Sequence, residues 1–296
     1  MRSVLVPLDQ KNPLANLIAK HIDCETSEVT IDNFPDEETY VKVLYDSKEQ
    51  DIILLATLNQ PNEKILPLIL LCETLKDWEA KSVGLVTPYL PYMRQDKSFE
   101  RGEGVTSKHF AKLISNYFDW IVTVDPHLHR YHSLSEIYTI PNEVVHAAPV
   151  VSDWIRSNIN KPILIGPDSE SEQWVSDVAE RAGAPHIVLT KIRHGDRDVE
   201  VSVPDVEKWQ DHTPVLVDDI ISTGHTMIET IEHLKKVNMK APICIGIHGI
   251  FSDNAYEELK KAGAESIVTC NSIPHGSNQI DLSKLISGAI EKIMRT

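Results

Sequence analysis

Cysteine, glycine and long apolar runs are all scarce in this chain of 296 residues. Its four cysteines, Cys24, Cys72, Cys244 and Cys270, have no C-x-x-C spacing and no histidine cluster, which argues against a disulfide scaffold or a structural zinc site. We expect these cysteines to behave as small, buried hydrophobic residues of a cytoplasmic protein. The longest apolar run, residues 65–72, is well below the roughly 20 residues that span a bilayer, and the N-terminal stretch predicts a first strand rather than a signal peptide.

Positive charge is in the minority as well. Lys and Arg number 29 against 44 Asp and Glu, so the formal net charge is −15. Sequence-independent binding to nucleic acid needs a basic surface, so we expect no nucleic-acid partner and, without an apolar span, no membrane partner. An anionic small substrate is still possible, because a few local cations are enough to hold it.

Short β-branched runs alternate with amphipathic stretches along the whole chain, which predicts an α/β fold with mostly parallel sheets flanked by helices. The second half repeats the plan of the first without a detectable sequence period. Residues 140–149 interrupt the alternation with two prolines, and we therefore predict two domains, 1–145 and 146–296. Strands are expected near residues 4–6, 29–31, 52–56, 83–86, 121–124, 163–165, 187–189, 199–203, 215–217, 243–247 and 267–269. Helices are expected near residues 12–21, 62–78, 107–117, 170–182, 226–237, 255–262 and 283–294.

Charged or titratable residues follow five of the predicted strands. Ligands of an open parallel sheet gather at the carboxyl ends of its strands, so five such ends indicate a ligand site between the two domains. These residues are 94–97, 125–127, 168, 191–193 and 218–219.

The most specific stretch is residues 215–226, in which Asp218 and Asp219 follow an apolar run and a Ser-Thr-Gly loop then opens a helix. Backbone N–H groups at a helix N-terminus suit a phosphate, Thr223 and Thr226 add hydroxyl donors, and Gly224 allows a close approach. The paired carboxylates suit the hydroxyls of a neighbouring sugar. The stretch therefore predicts a ribose 5-phosphate cradle, and the simpler alternative is a Ser or Thr that only caps the helix.

This stretch resembles the loop of the phosphoribosyltransferase fold family that binds 5-phosphoribosyl 1-diphosphate (PRPP). Other segments resemble, in family order, those of ribose-phosphate diphosphokinases (PRPP synthetases) of a short archaeal-like subtype. The matching segments are residues 33–38, 88–97, 124–127, 166–168 and 191–193. The resemblance implies two phosphoribosyltransferase-like domains, an N-terminal one for ATP and a C-terminal one for ribose 5-phosphate or PRPP.

The resemblance also implies a Mg²⁺-dependent transferase of nucleotide biosynthesis. It would move the β,γ-diphosphoryl group of ATP to the C1 hydroxyl of ribose 5-phosphate, giving PRPP and AMP. In the family the adenine loop reaches a neighbouring subunit, so a homo-oligomer with a shared ATP site is implied. Two alternatives come from other classes: a non-catalytic regulatory paralogue, and a phosphoribosyltransferase that uses PRPP as donor.

Residue roles follow from the same resemblance. The implied catalytic residues are Lys191, Arg193 and His127, with His127 and Asp168 as metal-binding residues. The implied ATP-binding residues are Phe34, Asp36, Glu38, Arg94, Gln95, Asp96 and Lys97. The implied ribose 5-phosphate-binding residues are Asp168, Asp218, Asp219, Ser222, Thr223, Gly224, His225 and Thr226. Two cations at positions i and i+2 of an extended chain can reach one phosphate chain, which suits diphosphoryl transfer.

The chain departs from the family pattern at three places. Ser222 stands where many members have an acid, His225 replaces a small residue, and residues 169–171 replace a glycine pair. We interpret the Ser222 departure as a difference of subtype, and a His225 side chain that points outward would be harmless. Residues 169–171 change the loop geometry and add a charge, which affects substrate affinity more than reaction type. Residues 194–198 predict a polar loop that closes over the nucleotide. A competing hypothesis takes His127 and His129 as a metal pair of an amidohydrolase, which needs a (β/α)₈ barrel.

Overall fold

The computed structural model describes residues 3–166, 172–193, 199–202 and 208–295. It forms two compact units. Unit 1 comprises Met1–Val145, Ser272–Pro274 and Ser283–Thr296, and unit 2 comprises His146–Asn271 and His275–Leu282. Among the described helices, none combines the length and the apolar character that crossing a membrane requires.

Unit 1 is built on a six-stranded parallel sheet. Its strands are β1 Ser3–Pro7, β2 Glu25–Thr26, β5 Asp51–Leu55, β6 Ser82–Thr87, β7 Trp120–Val124 and β8 Asn142–Val145, with the separate strands β3 Val29–Asn33 and β4 Thr39–Val43. Its helices include α1 Pro13–Ile22, α2 Pro61–Asp77 and α3 Thr106–Tyr117. The sheet order is β2-β1-β5-β6-β7-β8. Every residue of β5 and β7 is buried, as expected for strands covered by helices on both faces.

Unit 2 has the same architecture. Its strands are β9 Pro162–Gly166, β10 His186–Val188, β13 Thr213–Ile221, β14 Ile243–Gly249, β15 Ser266–Cys270 and β16 Asn278–Ile280, with the separate strands β11 Thr190–Arg193 and β12 Val199–Ser202. Its helices include α4 Ala148–Asn158, α5 Glu172–Ala182, α6 His225–Lys236 and α7 Ala255–Ala262, and the remaining helix is α8 Ser283–Ile293. The parallel sheet has the order β10-β9-β13-β14-β15-β16. The predicted fold class, α/β with mostly parallel sheets flanked by helices, is confirmed.

The two units repeat one another element by element. In each, the first strand lies between the second and the third parallel strand, and an antiparallel hairpin is inserted before the third. The hairpin is β3–β4 in unit 1 and β11–β12 in unit 2. Both sheets therefore have a point where the strand order reverses, between β1 and β5 and between β9 and β13, and ligands of open α/β sheets bind at such points.

The helix that ends each repeat packs in the other unit. Helix α4 follows β8 in sequence, yet it packs on α5 and β16 in unit 2. Helix α8 follows β16, yet it packs on α1, β7 and β8 in unit 1. The predicted domains, 1–145 and 146–296, place α8 in the second domain. In the structure, α8 packs on elements of the first half of the chain.

Several elements were not predicted. Strand β8 lies within residues 140–149, which the sequence presents as a break, and β2, β4, β11, β16 and α4 were also missed. Strands β2, β8 and β16 are sheet edges of two to four residues, too short to show a period. Because both large sheets are open, the barrel hypothesis for His127 and His129 is wrong.

Three of the four cysteines are buried, as expected. None forms a disulfide, Cys72, Cys244 and Cys270 are buried, and Cys24 is half-buried. Burial raises the pKa of the Cys72 and Cys244 thiols to about 12, so both stay protonated and unreactive near neutral pH.

The packing of α8 predicts which elements are destabilised when a buried residue of this helix is truncated. Ile290 is fully buried on this helix, so Ile290→Ala is expected to lower the free energy of unfolding by about 2–5 kcal/mol. Chemical denaturation measures the loss, and hydrogen exchange locates it in α1 and β8. The control, Lys284→Ala, changes an exposed residue of the same helix and is expected to stay within about 0.5 kcal/mol. Faster exchange confined to β9, β13 and β14 would contradict this assignment of α8.

Candidate active site

The β13–α6 connection forms the centre of the candidate site in unit 2. Strand β13 continues through Asp218 and Asp219 to Ile221, so the two acids lie within the strand rather than after it. Both are half-buried, and the backbone N–H of Asp219 donates to Asp218 Oδ1 over 2.9 Å. The acids therefore stand on a rigid element close to the point where the chain turns into a helix.

Gly224 begins helix α6 in the left-handed conformation, with φ of 71°. A side chain bearing Cβ is strained at this φ, and an added Cβ would also lie 3.3 Å from Leu259 Cγ. No side chain of the described residues caps α6, so the alternative of a simple Ser or Thr cap is wrong. Uncapped N–H groups and the positive end of the helix dipole suit a phosphate.

Hydrogen bonds from residues that follow β14 hold the loop before α6 in place. Ser252 N–H donates to Ser222 O over 3.1 Å, and Phe251 N–H donates to Ile221 O over 3.0 Å. The hydroxyls of Ser222 and Ser252 lie 3.4 Å apart. Ser222 stands where many family members have an acid. Its side chain lies beside the hydroxyl of Ser252.

The other loop residues differ in exposure. Thr223 and His225 are exposed, and Thr226 is half-buried. The side chain of His225 therefore lies at the surface of the loop.

The tip of the β3–β4 hairpin presents an exposed aromatic ring in unit 1. Phe34 is 52% exposed and packs edge-on against Tyr40, with ring centroids 5.9 Å apart. Its backbone N–H donates to Glu38 O over 2.8 Å, which closes the turn, and Asp36 and Glu38 are exposed beside it. Phe34 is thus available for stacking and is not a core residue.

In the segment that follows β6, some side chains are exposed to solvent and others contact the protein. Arg94 is exposed and Gln95 is half-buried. The Nζ of Lys97 lies 4.4 Å from the ring centroid of Phe99. Asp96 differs from its neighbours because its side chain is only 5% exposed and Oδ1 pairs with Arg130 Nε at 3.2 Å. This contact with the protein was not expected for a residue predicted to bind ATP.

His127 follows β7 in unit 1, close to the segment that carries Arg130. It is half-buried, and its ring stacks with that of His129 at a centroid distance of 6.1 Å. Asp125 precedes it with φ of 31°, a left-handed conformation that is uncommon for a non-glycine residue. Such strain is often found at functional positions.

The remaining predicted residues are partly outside the described ranges. Lys191 and Arg193 lie in β11, whose backbone pairs with Val201 and Val199 of β12. Asp168, residues 169–171 and the predicted closing loop 194–198 lie outside the described residues. Within residues 3–166, 172–193, 199–202 and 208–295, no group of three or more His, Cys, Asp or Glu side chains could hold a metal ion.

Arg130, Tyr131 and Ser252 were missed by the sequence reasoning. Arg130 and Tyr131 contact the Asp96 segment 34 and 35 residues away in sequence, and Ser252 contacts Ser222 over 30 residues. No spacing signals such pairs. A search of the residues that follow each predicted strand would have found Ser252, which comes three positions after β14.

The two repeated units and the strand–loop–helix site define a protein of the phosphoribosyltransferase type. A family described as phosphoribosyl transferase domain matches residues 133–283, and one described as N-terminal domain of ribose phosphate pyrophosphokinase matches residues 3–117. The chain belongs to the ribose-phosphate pyrophosphokinase family, as the motifs predicted.

Curated relatives cover nearly the whole chain. A ribose-phosphate pyrophosphokinase from Pyrococcus abyssi is 30% identical over 280 residues, which are 93% of this chain and 96% of the relative. One from Methanobrevibacter smithii is 29% identical over 289 residues, 94% of this chain and 96% of the relative. The crystal structure of phosphoribosylpyrophosphate synthetase from Mycobacterium smegmatis superposes with a TM-score of 0.86, at 24% identity, over 100% of this chain and 99% of that chain. The structural match shows the same fold.

Gly224 provides a direct test of the loop geometry. Gly224→Ala is expected to lower the free energy of unfolding by about 1–2 kcal/mol, because alanine resists a positive φ. The contact with Leu259 adds to the cost. The control, Gly288→Ala, lies at an exposed position of α8 with open space around the new methyl group, and it is expected to raise stability by up to about 1 kcal/mol. Equal effects at the two positions, measured by denaturant unfolding, would contradict the left-handed helix start.

Proposed function

We propose that this chain is a ribose-phosphate diphosphokinase that makes PRPP and AMP from ribose 5-phosphate and ATP. The observation that carries the proposal is the β13–α6 connection, where two carboxylates precede an uncapped helix that begins at a left-handed glycine. Membership of the ribose-phosphate pyrophosphokinase family supports it over nearly the full chain.

Ribose 5-phosphate is assigned to unit 2. Thr223 and Thr226 hydroxyls and the first N–H groups of α6 would hold the phosphate, since donors and the helix dipole both favour an anion there. Asp218 and Asp219 would accept hydrogen bonds from the ribose hydroxyls. Asp168, together with Ser222, Gly224 and His225, completes the proposed set.

ATP is assigned to residues of unit 1. The exposed ring of Phe34 would stack on adenine, and Asp36 and Glu38 would accept hydrogen bonds from its amino group or from the ribose. Arg94 and Gln95 would contact the phosphates, because a planar guanidinium can bind two phosphate oxygens. Lys97, Asp96 and His127 are the other residues of the proposed ATP set. A hairpin that presents an exposed aromatic ring also supports an ATP site shared with a neighbouring subunit, as the family resemblance implies.

The proposed reaction is a direct displacement at phosphorus. The C1 oxygen of ribose 5-phosphate attacks the β-phosphorus of ATP, the bond from that phosphorus to the oxygen bridging it to the α-phosphorus breaks, and AMP leaves. The C1 hydroxyl proton is released. Negative charge spreads over the transferred group, and Lys191 and Arg193 on β11 would neutralise it.

The family resemblance implies Mg²⁺, and the chemistry of the donors at the strand ends fits this ion. Mg²⁺ prefers oxygen ligands, keeps several waters and binds substrate phosphates with only one or two protein carboxylates, so a dense protein cluster is not needed. When bound, the ion neutralises the phosphate charge of ATP. Asp168 and His127 are the proposed residues beside it, directly or through water.

The role of the cations is tested by a mass-resolved assay of purified protein with ATP, ribose 5-phosphate and Mg²⁺. The wild-type protein is expected to form AMP and PRPP in equal amounts. Lys191→Ala is expected to reduce the rate at least about 100-fold, since it removes a charge that would act at the transferred group. Lys236→Ala removes an exposed lysine of α6 and serves as the control with unchanged rate.

Two outcomes would contradict the proposed reaction, and a third would contradict only the role of Lys191. ATP binding without AMP formation would indicate a regulatory paralogue. Consumption of PRPP with a nucleobase would indicate a phosphoribosyltransferase. Full activity of Lys191→Ala would leave the reaction in place and remove Lys191 from it.

A further inference from the structure

Two segments of unit 1 that the proposed function assigns to ATP are joined by an ion pair whose carboxylate is buried. One segment contains Arg94 and Gln95 after β6, and the other contains His127 after β7. Arg130 Nε donates to Asp96 Oδ1 over 3.2 Å. The aspartate side chain is 5% exposed and the arginine side chain 41%, so the carboxylate is inside the protein and the cation reaches it from the surface.

Backbone hydrogen bonds reinforce this connection. Tyr131 Oη donates to the carbonyl oxygen of Asp96 over 3.2 Å, and Ser107 N–H donates to the carbonyl oxygen of Gln95 over 3.3 Å. The hydroxyls of Ser107 and Tyr131 lie 3.3 Å apart, and Ser107 is fully buried. Two successive peptide groups of the Arg94 segment are therefore held by residues of α3 and of the His127 segment.

Because Asp96 is charged and buried, its position depends on the ion pair with Arg130. Oδ2 of Asp96 is buried and has no hydrogen-bond partner among the described residues, so Arg130 supplies the side-chain interaction of the carboxylate. A buried carboxylate without a cation is strongly disfavoured, and we expect it to move toward water. Such a movement would displace the peptide groups on both sides of it.

We propose that Asp96 and Arg130 are positioning residues for ATP. The pair, with Tyr131, holds Arg94 and Gln95 at a fixed distance from His127, so that both segments meet one triphosphate. The inference rests on the proposed function, and it changes one part of it: Asp96 acts through Arg130 and its own backbone rather than through a contact with the nucleotide. Placement errors near 1 Å can cost about 100-fold in rate, which makes such a connection consequential.

The test compares Arg130→Ala with wild type in equilibrium ATP binding by calorimetry and in steady-state kinetics. The expected result is a rise in the Kd and KM for ATP of about 10- to 100-fold, with the KM for ribose 5-phosphate within about twofold. A variant that is only less stable would lose active protein without this difference between substrates. Arg156→Ala is the matched control, because it removes an arginine from an exposed ion pair with Asp153.

One further variant, Tyr131→Phe, keeps the test decisive if Arg130→Ala fails to fold, and two variants of the Asp96 charge extend the test. Tyr131→Phe removes only the hydroxyl that holds the Asp96 carbonyl, and it is expected to raise the KM for ATP by about 3- to 10-fold. Asp96→Asn keeps the shape and removes the charge. Because no charge is then left unpaired, the double variant Asp96→Asn/Arg130→Ala is expected to bind ATP better than Arg130→Ala alone.

The opposite results would overturn the inference. These are an unchanged ATP affinity in Arg130→Ala or Tyr131→Phe, an equal loss for both substrates, or additive effects in the double variant. A wild-type protein that neither binds ATP nor forms PRPP would instead overturn the proposed function, so the two failures are distinguishable.

Discussion

Parallel strands that are buried on both faces constrain the whole molecule. Such a strand contributes stability only when helices cover it on each side. The interiors of β5, β7, β9 and β14 are almost entirely apolar, whereas Asp218 and Asp219 lie in the last half of β13 and Arg94 and His127 follow β6 and β7. The separation lets a rigid core hold reactive groups that the core itself could not tolerate.

Electrostatics in this acidic protein is local. A net charge of −15 gives no general attraction for two anionic substrates, so binding has to come from particular donors. The uncapped start of α6 supplies donors without adding a formal charge. Arg94 and Arg130 are both exposed, and Arg130 pairs with the buried carboxylate of Asp96.

Sequence patterns predicted the long elements well and the contacts between them poorly. Strands β5, β6 and β7 and helix α7 lie at or near their expected limits, because apolar runs and clear helix ends determine them. Asp218 and Asp219 were expected directly after the strand, because acids after an apolar run suggest a strand end, but pairing with β14 continues to Ile221. The Asp96–Arg130 pair was out of reach, since it depends on how two loops meet in space. Whether Lys191, Asp168 and the other proposed residues bind substrate stays a prediction.

The exchange of α4 and α8 between units has a consequence for synthesis on the ribosome. Unit 1 is encoded first, yet α8, which covers α1 and β8, emerges only after all of unit 2. Until then the apolar surface that receives Ile286 and Ile290 stays uncovered. Vectorial folding of this chain is therefore incomplete at its midpoint, and the earlier half exposes this apolar surface for the time needed to translate the later half.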